Sequence, residues 1–333
     1  MQNILRRLPA LSFASAACVS RLWNSLCNHI LSSPKLASAV SLNPSLEDAV
    51  NEVVDKVLSE PIRPHFVLAS VGPSFSLQEA FQLIDSSKLG SRVPMVINIC
   101  EGVIGRDVHR DQFVEVQWEV SEDEDYVAER GIILTVGFLP GLKACIVPLL
   151  FQHKGPRSLL VDEFVMDIRE SVSAVSDSAS PAGIILFADP KTDIKPVLQT
   201  IEYAFPEETF IVGDGCSKFL YRSDSRNNIT RSPDSSCAAV ALTFARDRNR
   251  PLGIGETQFH VMLSTGISPV GYMYRAVYVE CRKSLTRLTA LRETLPERLD
   301  GQAILDESPI IVDIINGGKE CQDCCHFLPL FWS

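Results

Sequence analysis

Short runs of branched apolar residues alternate along this chain with segments whose apolar positions recur every three or four residues. The first pattern predicts strands buried on one or both faces, and the second predicts amphipathic helices. Ser45-Leu46-Glu47-Asp48 reads as a capping box, with Asp48 a shorter stand-in for the usual glutamate. It opens a helix to about residue 58, with Val50, Val53, Val54 and Val57 on one face. Strands follow over 65–71 and 93–100 with a helix over 76–86 between them; 112–120 alternates as a half-buried strand, and 131–139 is another. In the second half, 158–160, 182–187, 209–212, 237–244, 258–264 and 270–280 read as strands, 193–205 and 284–295 as helices, and 222–236 as a polar loop. This mixture predicts an α+β chain with more strand than a simple doubly wound fold. No repeat of 20 to 50 residues is visible, and no leucine-rich repeat pattern.

The stretch before residue 44 is different. The first acidic residue is Glu47, and before it come Arg6, Arg7, Arg21 and Lys35 among many serines and alanines. Leu8-Pro9 breaks a first helix; Val19, Trp23 and Cys27 fall at i, i+4 spacing on one face of a second. Helices this short need a partner surface to fold against. Three readings stand open: a docking module for another protein, a helix pair of the main domain, and an arginine- and serine-rich transit peptide. The segments expected are 1–43 (helical), 44–206, 207–319 and a divergent tail over 320–333.

Composition narrows the function. Across 333 residues, 46% hydrophobic and 22% charged content predicts a sizeable core. No apolar run is long enough to cross a membrane. A net charge of −10 argues against general nucleic-acid binding. Ten cysteines with no secretory signal read as reduced thiols of a cytoplasmic or nuclear protein. The Asn228-Ile229-Thr230 sequon carries no meaning there.

Enzyme signatures are missing: no Walker A loop, dinucleotide fingerprint, zinc-protease helix or nucleophile elbow occurs. No two of the six histidines share ligand spacing, and His109, beside Asp107, Arg110 and Asp111, reads as a solvated turn. Cys321, Cys324, Cys325 and His326 lie too close together for a four-ligand zinc site. No catalytic residue, metal or cofactor is expected. Two glycine-rich stretches after strands are candidate pocket walls, because backbone there can approach a ligand closely. They are Glu101, Gly102 and Gly105, and Gly213, Asp214 and Gly215.

The N-terminal residues resemble an F-box. Ile4-Leu5 stand for its first helix, Leu8-Pro9 for its break, Leu11, Ala14 and Ala17 for apolar positions, and Val19-Ser20-Arg21-Leu22-Trp23 for its ending, with serine where the family has cysteine. The family's opening Leu-Pro-x-Glu segment has no counterpart, because Met1 falls inside the first helix. The rest, roughly Pro44 to Gly318, resembles the FIST domain found behind an F-box in some eukaryotic proteins. That resemblance rests on Glu101–Gly105, Ile184–Asp189, Ile211–Gly215 and Ser268–Gly271; Ile97-Asn98-Ile99-Cys100 replaces the family's Gly-Cys-Ser/Thr character. The FIST family runs further than Ser333, so a C-terminal part cut short is expected. The resemblance implies a non-catalytic substrate receptor that binds a Skp1-type adaptor and cullin through Leu8, Pro9, Leu11, Val19 and Trp23 and holds a target protein. It also implies an alternative, an intracellular small-ligand sensor built on the glycine turns.

Overall fold

The computed structural model describes residues 1–100, 102–117, 130–151, 159–206, 208–223, 237–250, 257, 259, 274–282, 285–292 and 298–300. Its elements in chain order are α1 (Gln2–Leu5), α2 (Ala10–Ala17), α3 (Arg21–Ile30), β1 (Lys35–Ser41), α4 (Leu46–Val57), β2 (Phe66–Val71), α5 (Leu77–Asp85), β3 (Met95–Ile99), β4 (Gly102–Arg106), β5 (Phe113–Gln117), β6 (Ile132–Phe138) and β7 (Leu142–Leu150). Then come α6 (Val161–Ser173), β8 (Gly183–Ala188), α7 (Lys195–Ala204), β9 (Phe210–Asp214), β10 (Phe219–Arg222), β11 (Cys237–Arg246), β12 (Tyr274–Arg282), β13 (Leu285–Arg292) and β14 (Arg298–Asp300). The chain forms two compact units, Met1–Trp118 with Glu129–His260, and Glu119–Ala128 with Val261–Ser333.

In the first unit, a five-stranded sheet in the order β1-β6-β2-β3-β10 and a four-stranded sheet in the order β7-β11-β8-β9 share an apolar layer. Helices α4 and α5 cover the outer face of the first sheet, and α6 and α7 that of the second. Both faces of the central strands are therefore buried, which is why they read as near-continuous apolar runs. Strand β11 shows the division of labour. Ala239, Ala241 and Ala245 lie under the helices, while Val240, Leu242 and Phe244 fill the layer between sheets. Small residues let the helices approach, and large ones occupy the gap between sheets.

Ser45, anticipated as a cap, does cap, and so does Ser76. Ser45 accepts from the Asp48 amide and Ser76 from that of Glu79, and Val50, Val53, Val54 and Val57 are buried. Each sheet also seats a phenylalanine over a cross-strand glycine: Phe66 opposite Gly137, and Phe210 opposite Gly183. A Cβ at either glycine would fall on the facing ring.

Several expectations are corrected. Lys35–Ser41, expected in a helical segment, is strand β1 at the edge of the first sheet; its burial alternates over residues 35–38 and is complete over 39–41. Residues 102–106, expected as a turn, form β4, paired antiparallel with β5. Residues 284–295, expected as a helix, contain β13, which pairs antiparallel with both β12 and β14. Leu285, Leu288 and Leu291 fit helical spacing, but the cross-strand partners decide the outcome. This three-stranded sheet is the described part of the second unit. The boundary expected at 206/207 falls inside the first unit, because β9 pairs parallel with β8 and β10 returns to pair with β3. Helix α6 and strands β7 and β10 were not anticipated, although Phe164, Val165, Ile168 and Val172 of α6 have helical spacing. The acidic run 122–125, the sequon, the cysteine tail, 268–271 and most of 258–264 lie outside the described residues.

Gly137→Ala tests the glycine–phenylalanine seat. The added methyl must displace the Phe66 ring, and a loss of about 1–3 kcal/mol in urea unfolding is expected.

Candidate functional site

The three N-terminal helices are built around a small core of Leu5, Phe13, Ala16 and Cys27, with Leu8, Ala17, Trp23, Leu26, Ile30 and Leu31 packed on it. Pro9 opens α2 in an extended conformation that suits a first-turn boundary (φ −56°, ψ 152°), and its carbonyl accepts from the Phe13 amide at 2.8 Å. Ser20 caps α3 by accepting from the Trp23 amide at 3.2 Å. Asn24 reaches back from α3 and donates to the Ala17 carbonyl at the end of α2. The Ala10 amide donates to the Leu58 carbonyl at 2.8 Å, which ties the start of α2 to the end of α4.

The outer face of this module carries large apolar side chains. Ile4 is 67% exposed, Leu11 55%, Val19 65% and Leu22 64%. Of the five anticipated anchors, Pro9, Leu11 and Val19 are exposed, whereas Leu8 and Trp23 are half-buried against the module's own core. Val19 does not share the face of Trp23 and Cys27. Ser20 begins the helix afresh, so Val19 sits in the turn before it. Ile4 and Leu22 were missed as surface groups; Leu22 is adjacent to the inward-facing Trp23, so helical geometry turns it outward.

The glycine stretches are explained by packing. Gly102 and Gly105 lie on β4. Gly105 is buried where a Cβ would strike Val40, and a Cβ on Gly213 would strike the Leu186 carbonyl of the neighbouring strand. A Cβ on Gly215 would touch Ile194. Glu101 lies outside the described residues. Asp214 joins a polar network at the ends of the strands. Buried Asn98 donates to the Asp214 carboxylate at 3.1 Å and to the Ser217 hydroxyl at 3.3 Å, and accepts from the Ser70 hydroxyl at 2.6 Å. Asp214 also accepts from the Cys216 amide at 2.9 Å. This network joins β2, β3 and the β9–β10 turn. His109 lies in a turn as expected: Asp107 accepts from the Arg110 and His109 amides, and these bonds, that from Arg110 foremost, hold its carboxyl below the usual carboxylate range.

Among the described residues, no group of three or more His, Cys, Asp or Glu side chains is placed to hold a metal, and none of the described helices is long and apolar enough to cross a membrane. Cys18, Cys27 and Cys237 are unbridged thiols. Burial pushes the Cys237 thiol up to about 12, which makes it unreactive.

Two cavities lie elsewhere in the first unit. One, of about 550 Å³, is lined by Ser176, Arg246, Asp247, Arg248 and Arg250 among others. Arg248 is committed there to Asp177 and to the Ser173 and Ser176 carbonyls. The other, of about 280 Å³, is lined by Arg63, His65, Arg92 and Lys143. Burial, then Arg63 and Lys143, push the His65 imidazole down to about 4.

Residues 1–32 match the F-box domain family. The chain is also 42% identical over 324 residues to an F-box/LRR-repeat protein of Arabidopsis thaliana, in an alignment that covers 94% of this chain and 60% of the relative. It thus spans three-fifths of the length of the curated relative it matches. The leucine-rich repeats in that protein's name have no counterpart among the described elements here, which stack in layers.

His65 gives a pH test. Its folded value lies below the ordinary 6.5, so the unfolded chain binds more protons between pH 6.5 and 4. The stabilisation is fully present above pH 6.5 and is lost as pH falls to about 4. Allowing for solvent screening, the loss is on the order of 2 kcal/mol. Urea unfolding at pH 7 and pH 4.5 should show this loss, and His65→Gln should remove that part of the pH dependence.

Proposed function

We propose that the chain is the substrate-receptor subunit of an SCF-type ubiquitin ligase. Its N-terminal helices dock on a Skp1-type adaptor carried by cullin, and the layered domain behind them, read as a FIST-type domain, holds a target protein. The supporting observation is the division of large apolar side chains over the first 31 residues. One set builds the module's own core, while Ile4, Leu11, Val19 and Leu22 remain more than half exposed on the outside. Exposed apolar groups on short packed helices suit a helix-to-groove interface. Arg6, Arg7 and Arg21, with no acid before Glu47, add positive charge and favour an acidic partner surface. The chain itself performs no chemistry in this reading: it raises the effective concentration of target beside the ubiquitin carrier. Reduced thiols suit work in the cytoplasm or nucleus.

The FIST reading draws support from the order of the quoted motifs: Ile184–Asp189 covers most of β8 and Ile211–Gly215 most of β9. Its target is a protein of unassigned identity. Small-ligand sensing at the glycine turns is the second reading. It is favoured by Asp214, a half-exposed carboxylate at the strand ends, but the Asn98–Asp214–Ser217 bonds already satisfy those groups without a ligand.

Capture on purified Skp1–cullin tests the receptor reading. Leu11→Asp with Val19→Asp should weaken capture at least about tenfold with the thermal melt unchanged, because both side chains are exposed. Trp23→Ala should lower capture and helix stability together, since Trp23 packs on the module's core. Undiminished capture by the Leu11/Val19 double variant would overturn the assignment of the docking face.

A further inference from the structure

The chain is acidic overall, with 41 acidic against 31 basic residues, yet the 280 Å³ cleft at one end of the sheets is lined by Arg63, Arg92 and Lys143 with no carboxylate among its lining residues. Three separate segments supply these cations: the α4–β2 connection, the α5–β3 connection and the start of β7. Lys143 reaches Asp247 at 3.4 Å, but Arg63 and Arg92 form no hydrogen bond or ion pair among the described residues. Bringing like charges together opposes folding unless something else gains from it.

We propose that Arg63, Arg92 and Lys143, with His65 lining the same cleft, form a binding site for a phosphate group, free or carried as a monoester. The proposal is independent of the receptor reading.

The cleft is held in shape before any ligand arrives. Buried Arg222 donates to the Gly90 carbonyl at 2.8 Å and to the Val93 carbonyl at 2.8 and 3.1 Å, and pairs with Asp85. Those bonds clamp the connection carrying Arg92 on both sides of it. Pro64 and Pro94 restrict the residues before them to extended backbone, and Val67 donates to the Pro94 carbonyl at 2.9 Å. His65 is fixed by the hydrogen bond from its backbone amide to the Gly137 carbonyl at 2.8 Å and by the Phe138 ring at 4.5 Å.

The chemistry then selects the ligand. Guanidinium forks match the oxygens of phosphate, and a dianion matches the two arginine charges left without a partner once Lys143 is paired with Asp247. The groups that bear charge around His65 are Arg63, Lys143 and Asp247, with Arg92 across the cleft. Burial and the cations keep its imidazole neutral at pH 7; a bound anion favours the imidazolium and raises its titration point. The phosphate could be free or carried on a phosphorylated side chain of a polypeptide, and the chemistry of the site is the same for both.

Histidine-labelled full chain is titrated at pH 7 with sodium phosphate and, at matched ionic strength, with sodium chloride, following the His65 ring resonance; His65→Gln assigns it. A saturable shift with phosphate alone is expected. His65's titration point should rise by about one unit in its presence. Arg92→Gln and Arg63→Gln should each weaken binding about tenfold or more with an unchanged melt. Phosphoserine amide extends the series: tighter binding than inorganic phosphate points to a side-chain ester, and equal binding to the phosphate group alone, either in support. No saturable shift, an equal response to chloride, or wild-type affinity in both arginine variants would overturn the site.

Discussion

Phe66 and Phe244 meet edge to face between the two sheets, 5.2 Å from centroid to centroid, and the apolar layer they share is what the rest of the first unit depends on. Phe210 and Phe259 extend the same aromatic cluster. Once the inner faces are committed to each other, each sheet must bury its second face under helices, and the small residues of β11 meet that requirement on one side as its large ones do on the other. A polar group facing the layer is then costly unless satisfied. Asn98, two residues beyond Val96 on the same face of β3, meets this condition through Ser70, Asp214 and Ser217.

This architecture leaves chemistry at its margins. The strand ends where β3 and β9 finish carry the satisfied Asn98 network. The opposite ends, where β2 and β3 begin, carry the basic cleft, clamped by buried Arg222. The N-terminal helices are fixed to the layered body by the Ala10–Leu58 hydrogen bond and by Ala10 and Leu31 on the core beneath α4. Their own core is only four buried side chains. So small a core leaves large apolar groups outside, Ile4, Leu11, Val19 and Leu22 among them.

The candidate sites were legible to different degrees. The N-terminal helical module was visible because its first break, Leu8-Pro9, is a local signal, whereas the second, at Ser20, was not, and Val19 was placed on the wrong face. Which side chains face out was only partly visible: Trp23 was expected as an anchor, yet helical phase turns it inward onto the core of Phe13 and Cys27. The glycines at 105 and 213 suggested ligand approach, whereas the molecule uses them for close contact with Val40 and with the backbone of β8. A glycine reports that something comes close, not whether it is ligand or protein. The basic cleft gave no sequence signal at all, because its cations lie far apart in the chain and meet only through strand order.

By itself the sequence determined what local chemistry controls: the serine caps of α4 and α5, the valine face of α4, the apolar runs of β2, β3, β6, β8 and β11, and the charge change at Glu47. Only the tertiary structure decided what depends on long-range partners. Lys35–Ser41 became a strand because β6 pairs with it, and Leu285–Arg292 became one between β12 and β14 although its leucines suit a helix. Arg222, in a stretch read as a polar loop, became a buried clamp because β10 pairs with β3 and carries it to Asp85, Gly90 and Val93. Capping and periodicity act within a few residues, whereas sheet pairing and charge convergence join segments up to about a hundred or more residues apart, and no local pattern specifies which two will meet.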